Sequence, residues 1–207
     1  MKKAIKYIIF AAIIGISLYN SFYIKALDEV KQGKSDAVFN AKSFASQFIS
    51  SKTETLPALN TSDFLNDISK DVKKYSEANG NKLGISNDYY FITEGNATVL
   101  SIEEEDVVVS LTENNEQHIR IATDFIFGNA IREGAKIANI GDYQNTMDYN
   151  NISVELNNIV RETIIPSFLE TVKEGYALYF KGAVKVNIKS PNLKELRVIP
   201  LILKLNN

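Results

Sequence analysis

The sequence contains no cysteine, which excludes disulfide bonds and the attachment of a lipid to a cysteine side chain. A folded domain of this chain must therefore be stabilised by its hydrophobic core alone. Hydrophobic residues make up 45% of the sequence and charged residues 23%, a composition typical of globular proteins. About 180 residues follow the apolar N-terminal segment, which is enough for one domain with a small appendage.

A basic stripe is also missing. The 23 lysines and arginines are interleaved with 25 aspartates and glutamates, and the formal net charge is −2. Nucleic-acid-binding proteins usually carry a basic patch or stripe, because much of their affinity comes from contacts with phosphates. We therefore expect no nucleic-acid partner.

The residue patterns of common catalytic and metal sites are absent as well. His118 is the only histidine, and a lone imidazole without a thiol or matched carboxylate partner is a poor metal ligand or acid–base catalyst. The sequence has neither a Gly-x-Ser-x-Gly elbow nor a phosphate-binding glycine loop. The four carboxylates of residues 103–106 point in different directions on a turn, so they cannot surround one cation. We expect no catalytic residue, no metal and no cofactor.

A long apolar segment lies near the N-terminus. Residues 7–24 read YIIFAAIIGISLYNSFYI and follow a start, residues 1–6, that carries three lysines. About eighteen helical residues can cross a bilayer core of about 30 Å, and the lysines should keep the start in the cytoplasm. We predict a single-pass transmembrane anchor in the inner (cell) membrane, with the rest of the chain on the extracytoplasmic, periplasmic side.

Two alternatives to an uncleaved anchor remain. A cleaved secretory signal has the same charged start and apolar core, and Gly15 and Ser17 could serve as its small residues. However, the apolar run continues through Ile24, and no Ala-x-Ala follows it. A buried helix of a soluble domain is the other alternative, and three lysines at the terminus argue against it.

Residues 25–84 are predicted to form a stalk followed by a helical segment. Asn40 is placed to cap a first helix, in which apolar residues recur at helical spacing. Pro57 then interrupts the chain. A second helix is predicted to begin near Thr61 and to end at Gly80. The apolar stripes of both helices indicate packing faces.

Residues 85–207 change from a helical to a strand-like pattern. Five strands are predicted between polar turns, over Tyr89–Ile102, Val107–Thr112, His118–Ala122, Tyr176–Asn187 and Leu196–Leu205. A helix over Asn151–Ile164, halted by Pro166, separates the third strand from the fourth. Gly95 lies inside the first strand, where a bulge or sharp bend would fit. The fourth strand contains Gly182, and these internal glycines would let the two long strands curl.

This order of elements predicts the fold class α+β, with a five-stranded OB-like β-barrel and a helix between strands 3 and 4. Two helices and the N-terminal transmembrane helix would precede the barrel domain. An open α+β sheet with one helical face is the competing arrangement.

A polar and aromatic loop, residues 142–151 (DYQNTMDYNN), is the best candidate for a binding site. Exposed amides near a helix start can hold an anion or a sugar hydroxyl, and tyrosines can stack on a flat ligand face. Arg132 could pair with Asp142 or Asp148, or could itself clamp a ligand. The predicted ligand-binding residues are Arg132, Asp142, Tyr143, Asn145, Asp148 and Tyr149. The same loop could instead be an elaborate helix cap anchored by two tyrosines.

Several short segments of the chain form a specific set when their order is considered. They are YYFITEGNATV (89–99), GNAIRE (128–133), GDYQNTMDY (141–149), VELN (154–157), KEG (173–175) and F-x-GA (180–183), followed by Pro200 in the last strand. The set resembles a bacterial family of predicted periplasmic lipoproteins of unknown function. The resemblance implies an OB-like barrel in a protein often encoded beside sugar ABC transporters, and it implies no catalytic residue.

The chain departs from the family pattern at two places. The family begins with a lipid-attachment cysteine, which is absent here, so the apolar segment 7–24 would serve as the tether. Phe127 stands where the family has the first arginine of an Arg-Gly segment, which argues against an anion site at this turn.

We therefore predict a membrane-tethered extracytoplasmic binding module that is not an enzyme. It would bind a small polar ligand or a membrane transport protein, as an accessory to solute (sugar) uptake. The alternative is a structural or assembly protein of the cell envelope that docks another protein. OB barrels bind ligands on the face of strands two and three, which here would include Ser110, His118 and Arg120.

Overall fold

The computed structural model of the protein describes residues 39–206, together with Tyr7 and Phe10. The predicted cytoplasmic start, the predicted anchor apart from these two residues, and the predicted stalk over residues 25–38 lie outside the described residues. Among the helices that the structure describes, none is both long enough and apolar enough to cross a bilayer.

Within residues 39–206, seven strands form one sheet. They are β1 (Leu59–Asn60), β2 (Asn81–Lys82), β3 (Asp88–Ile102), β4 (Asp106–Leu111), β5 (His118–Ala122), β6 (Ala177–Asn187) and β7 (Arg197–Asn206). Strands β3 to β7 close into a ring in the order β3-β4-β5-β7-β6, and β6 pairs back onto β3. The β5–β7 pairing is parallel, and the other pairings of the ring are antiparallel. This closure confirms the predicted five-stranded barrel.

Alternate residues of the strands fill the barrel, as the pleat of a strand requires. On β5, Ile119 and Ile121 are buried, whereas His118 is exposed on the opposite face. Phe64 of the helical segment before the barrel and Phe168 of the segment between β5 and β6 join the same core. Helices therefore complete the core at positions that the strands leave open.

The irregular points of the barrel differ from the prediction. β3 keeps a regular register with β6 through Gly95, which pairs with Phe180, so no bulge lies there. The register of β3 shifts instead between Val99 and Ser101, where it pairs with β4. A second shift, for which no bulge was predicted, lies between Lys181 and Gly182, where β6 pairs with β7.

Six α-helices lie among the described residues. They are α1 (Ala41–Ser51), α2 (Thr61–Ile68), α3 (Val72–Asn79), α4 (Ala130–Gly134), α5 (Thr146–Ile159) and α6 (Ile165–Leu169). A 3-10 turn at Ile140–Asp142 precedes α5, and a π-helical turn at Val160–Ile164 joins α5 to α6. The single helix predicted between the third and fourth barrel strands is therefore a longer helical layer.

Three described helices, not two, precede the barrel. Asn40 caps α1 as predicted, because its side chain accepts a hydrogen bond from the Ser43 N–H at 2.9 Å. The predicted second helix is divided into α2 and α3. The carboxylate of Asp71 accepts from the Lys74 N–H at 2.9 Å and so starts a new helix in the middle of the apolar stripe. Gly80 follows α3, as predicted.

Both boundaries of the predicted helix Asn151–Ile164 are corrected. α5 begins earlier, at Thr146, because the Asn145 side chain accepts from the Asp148 N–H at 2.8 Å and caps the helix there. After α5 the helical path passes through the π-helical turn Val160–Ile164 and then continues beyond Pro166 to Leu169. Pro166 lies in the first turn of α6, where a missing N–H group is tolerated.

The helical layer is placed by close contacts with the barrel. A Cβ atom on Gly134 would lie 2.8 Å from the carbonyl oxygen of Phe91, so the end of α4 approaches β3 as closely as only glycine permits. α5 packs against both α4 and α1. Residues 126–129, which we call the 126–129 turn, lie between β5 and α4 and are held against α5.

Candidate functional site

Two of the predicted ligand-binding residues, Arg132 and Tyr149, lie together in the interior. Each is 2% exposed. The guanidinium carbon of Arg132 lies 3.6 Å from the centroid of the Tyr149 ring, and Arg132 Nη1 donates to the Tyr149 carbonyl oxygen at 2.8 Å. Arg132 pairs with neither aspartate proposed from the sequence. Its Nε donates instead to Glu133 Oε1 at 2.9 Å, because this carboxylate is buried beside it on α4.

Glu133 is the acceptor at the centre of this cluster. Its Oε1 also accepts from the Tyr149 hydroxyl at 2.7 Å, and its Oε2 accepts from Asn81 Nδ2 at 3.0 Å. The cluster thus ties β2, α4 and α5 together. Burial and the hydrogen bond to Glu133 raise the pKa of Tyr149 from its ordinary value to about 12. Because its ring is covered by Arg132, we assign Tyr149 a supporting role rather than a ligand-stacking one.

The other four predicted residues lie around the start of α5. Asp142 is exposed in the 3-10 turn, and Tyr143 packs its ring 5.8 Å from that of Tyr149. Asn145 Nδ2 donates to Asp148 Oδ2 at 2.9 Å, in addition to the capping bond described above. These contacts are those expected of a helix cap. A direct role for the four residues in ligand binding stays a prediction.

Arg132 also reaches a cavity that the sequence pattern did not predict. The cavity has a volume of about 400 Å³ and lies between α5 and the 126–129 turn. This size is within the range of about 300–1,000 Å³ that is common for small-molecule sites. Its polar lining consists of Asn129, Arg132, Asn150, Ser153, Asn157 and Arg161. Leu83, Phe127 and Val154 add apolar surface.

Two side chains of the helical layer hold the wall of the cavity in place. Asn157 Nδ2 donates to the Gly128 carbonyl oxygen at 2.8 Å, and Arg161 Nη1 donates to the Ile126 carbonyl oxygen at 2.6 Å. Gly128 has a φ of +79°, a left-handed conformation that glycine adopts without strain. The turn is therefore pre-organised before any ligand arrives.

Ser153 supplies a polar group without a partner. It is 7% exposed and lines the cavity, yet its Oγ has no hydrogen-bond partner among the described residues. A buried hydroxyl without a hydrogen bond costs about 1–3 kcal/mol. The Oγ itself is buried, so a ligand in the cavity would contact other atoms of Ser153.

The charge of the cavity is positive. Arg132 is balanced by Glu133, whereas no carboxylate of the residues 39–206 lies within salt-bridge distance of Arg161. Arg161 Nη2 donates to Asn158 Oδ1 at 2.5 Å, and its guanidinium lies 5.7 Å from the centroid of the Phe127 ring. The cavity therefore combines one uncompensated cation, amide groups and an aromatic face.

The face of β4 and β5 shows a different pattern, because its polar groups bond to one another. Arg120 Nη1 donates to Glu103 Oε2 at 2.7 Å, and the Ser110 hydroxyl donates to the Asn115 carbonyl oxygen at 3.1 Å. His118 is exposed. In the part of the chain that the structure describes, no group of three or more histidine and acidic side chains could hold a metal ion.

A regular polar stripe along α5 could have indicated the cavity from the sequence. Ile152, Leu156 and Val160 form the apolar stripe that faces the core. Beside it, polar residues recur every three or four positions, at Asn150, Ser153, Asn157 and Arg161. Residues at this spacing share one face of a helix.

Comparison with known proteins supports both the family and the fold. A family described as "Predicted periplasmic lipoprotein (DUF2291)" matches residues 12–204. The crystal structure of an OB-fold protein from Thermotoga maritima superposes with a TM-score of 0.72 at 22% sequence identity. The match covers 82% of this chain and 100% of that one, and at this identity it shows the fold alone. No curated protein matches the chain.

Proposed function

The chain belongs to this family of predicted periplasmic lipoproteins, and we propose that it is a non-enzymatic module that binds a small polar ligand in the cavity beside α5. The guanidinium of Arg161 is the observation that carries the proposal, because it lines a pre-organised cavity and no carboxylate of residues 39–206 pairs with it. A purely structural interior would pair or exclude such a group.

The extracytoplasmic, membrane-associated location of the family supports a role in binding solutes that the cell takes up. Membership in the family assigns the protein to the outside of the cytoplasm, in association with a membrane. The sequence has no cysteine for a lipid, so the apolar segment 7–24 would act as the tether to the inner membrane. A tethered module beside a transport protein could pass a captured ligand to it, which fits an accessory role in solute uptake, including the uptake of sugars.

A thermal-shift screen tests this proposal. The full-length chain is mixed with a panel of neutral sugars and small organic acids, and its melting temperature is measured. A ligand present at about 100 times its Kd stabilises the folded state by about 2.7 kcal/mol, which corresponds to an increase of about 5–10 °C for a domain of this size.

Cavity filling provides the matched control for the screen. Ser153→Leu places a bulky side chain in the cavity and should abolish the shift, whereas Asn151→Leu changes an exposed residue of the same helix and should leave the shift unchanged. The proposal would be contradicted if the Ser153→Leu protein melted cooperatively and still responded to the ligand as the unaltered protein does.

Docking of another envelope protein is the second candidate function. Phe125 and Phe127 are 54% and 65% exposed, and their ring centroids lie 6.3 Å apart beside the cavity. Exposed aromatic pairs are common in protein interfaces. If no small molecule raised the melting temperature and a membrane protein co-purified with the chain, docking would be favoured over ligand binding.

A further inference from the structure

We infer that the ligand of this cavity carries a carboxylate group and that Arg161 is the residue that binds it. This inference rests on the proposed function, since it assigns the chemical class of the ligand to the same cavity. It concerns small organic acids that also carry hydroxyl groups, such as sugar acids.

The charges of the described side chains that line the cavity do not balance. Arg132 and Arg161 are the two cationic side chains of the described lining. The carboxylate of Glu133 accepts a hydrogen bond from Arg132 and neutralises it, but no described carboxylate pairs with Arg161. The cavity thus has an excess of one positive charge, which matches a single carboxylate better than a neutral sugar or a doubly charged phosphate.

Arg161 has more N–H donors than it uses in hydrogen bonds to the described residues. A guanidinium group has five N–H donors. Arg161 uses two of its donors within the described part of the chain, one to the Ile126 carbonyl oxygen and one to Asn158. These bonds fix the orientation of the guanidinium at the cavity, and its other donors can form charge-assisted hydrogen bonds with a carboxylate.

Neutral polar side chains line the cavity together with Arg161. Asn150 and Ser153 line the cavity from the preceding turns of α5, at helical spacing from Arg161. The Ser153 hydroxyl lacks a partner. Because the Ser153 Oγ itself is buried, Asn150 is the side chain to which a ligand on Arg161 can offer a hydroxyl group, while Phe127 supplies an aromatic face.

This inference differs from the expectation that the sequence gives for the turn that precedes α4. Because Phe127 stands in place of an arginine, the sequence argues against an anion site there. The structure brings a cation to the same turn from a distant part of the chain, since the Arg161 guanidinium lies 5.7 Å from the Phe127 ring centroid.

Isothermal titration with matched pairs of probes tests the inference on the full-length chain. The pairs are glucuronate and glucose, galacturonate and galactose, and gluconate and sorbitol, with inorganic phosphate as a further probe. We expect the acid of at least one pair to bind about tenfold or more tightly than its neutral partner. The preference should decrease when NaCl is raised from about 0.05 M to about 0.5 M, because salt screens the charge.

Variants of Arg161 identify the cation that is responsible. Arg161→Gln should remove the preference for the acid, and Arg161→Lys should retain part of it because the charge remains. Lys194→Gln removes an exposed cation outside the cavity and should leave the preference unchanged. An Arg161→Gln protein that folded and still preferred the acid would overturn the assignment of Arg161.

The outcomes for the inference and for the proposed function can be separated. If neutral sugars bind as tightly as their acids in every pair, the carboxylate inference is wrong while the proposed function stands. If phosphate binds more tightly than every acid, the inference is again wrong and the cavity is an anion site of another class. If none of the probes binds, both the inference and the proposed function fail.

Discussion

Replacing Glu133 with alanine is expected to lower the free energy of unfolding by about 3–5 kcal/mol. Glu133 is 4% exposed and accepts hydrogen bonds from Arg132, Tyr149 and Asn81. Removing its carboxylate leaves the charge of the buried Arg132 without a counter-ion and leaves the Tyr149 hydroxyl without an acceptor. Urea denaturation of the two proteins measures the difference.

Two controls separate charge from volume in this experiment. Glu104→Ala removes an exposed carboxylate and should change the free energy of unfolding by no more than about 0.5 kcal/mol. Glu133→Gln keeps the volume and an acceptor oxygen but removes the charge, so it should fall between Glu133→Ala and the unaltered protein. A loss below about 1 kcal/mol for Glu133→Ala would show that Arg132 does not depend on this carboxylate.

Replacing Gly182 with alanine is expected to destabilise the barrel by about 3 kcal/mol. The added Cβ would collide with the carbonyl oxygen of Ile199 and would lie 2.6 Å from Val198 Cγ1, both on the neighbouring strand β7. Because one of these atoms belongs to the backbone, the clash cannot be relieved by rotation of a side chain. Calorimetry should show a melting temperature lower by about 6–12 °C.

Gly141→Ala is the matched control for this substitution. A Cβ at Gly141 would meet no atom within 4 Å, and its φ is not left-handed. We expect its melting temperature to stay within about 2 °C of that of the unaltered protein. Equal effects of the two alanine substitutions would contradict the close approach of β6 and β7 at Gly182.

The barrel could be predicted from the sequence because its signals are local. The alternation of Ile119 and Ile121 with polar neighbours marks β5, and the aromatic and β-branched residues of β3 mark a long strand. The order of three strands, helical residues and two strands then limits the topology. Strand β5 pairs with β7, so that Arg120 lies opposite Arg197 although the two residues are far apart in the sequence. This pairing follows from the topology of an OB-like barrel and not from a local sequence signal.

The candidate cavity could not be predicted in the same way. Its wall forms because Asn157 and Arg161 reach carbonyl groups of the 126–129 turn, about thirty residues earlier in the chain. Arg132 was a candidate from the sequence, but Glu133 was not predicted to be its partner. Burial rather than spacing decides which carboxylate pairs with a buried arginine. The start of α5 was misplaced for a local reason, because the Asn145 side chain accepts from the Asp148 N–H and caps the helix there.

The most direct test of the account is to map where a bound acid changes the protein. Backbone NMR shifts of the full-length chain, recorded during titration with the acid that binds best, report the affected amide groups. We expect the changes to lie in residues 126–132 and 150–161, with little change at Ser110, His118 and Arg120. Changes confined to the β4–β5 face would contradict the account, because the ligand would then occupy the usual OB surface and not the cavity beside α5.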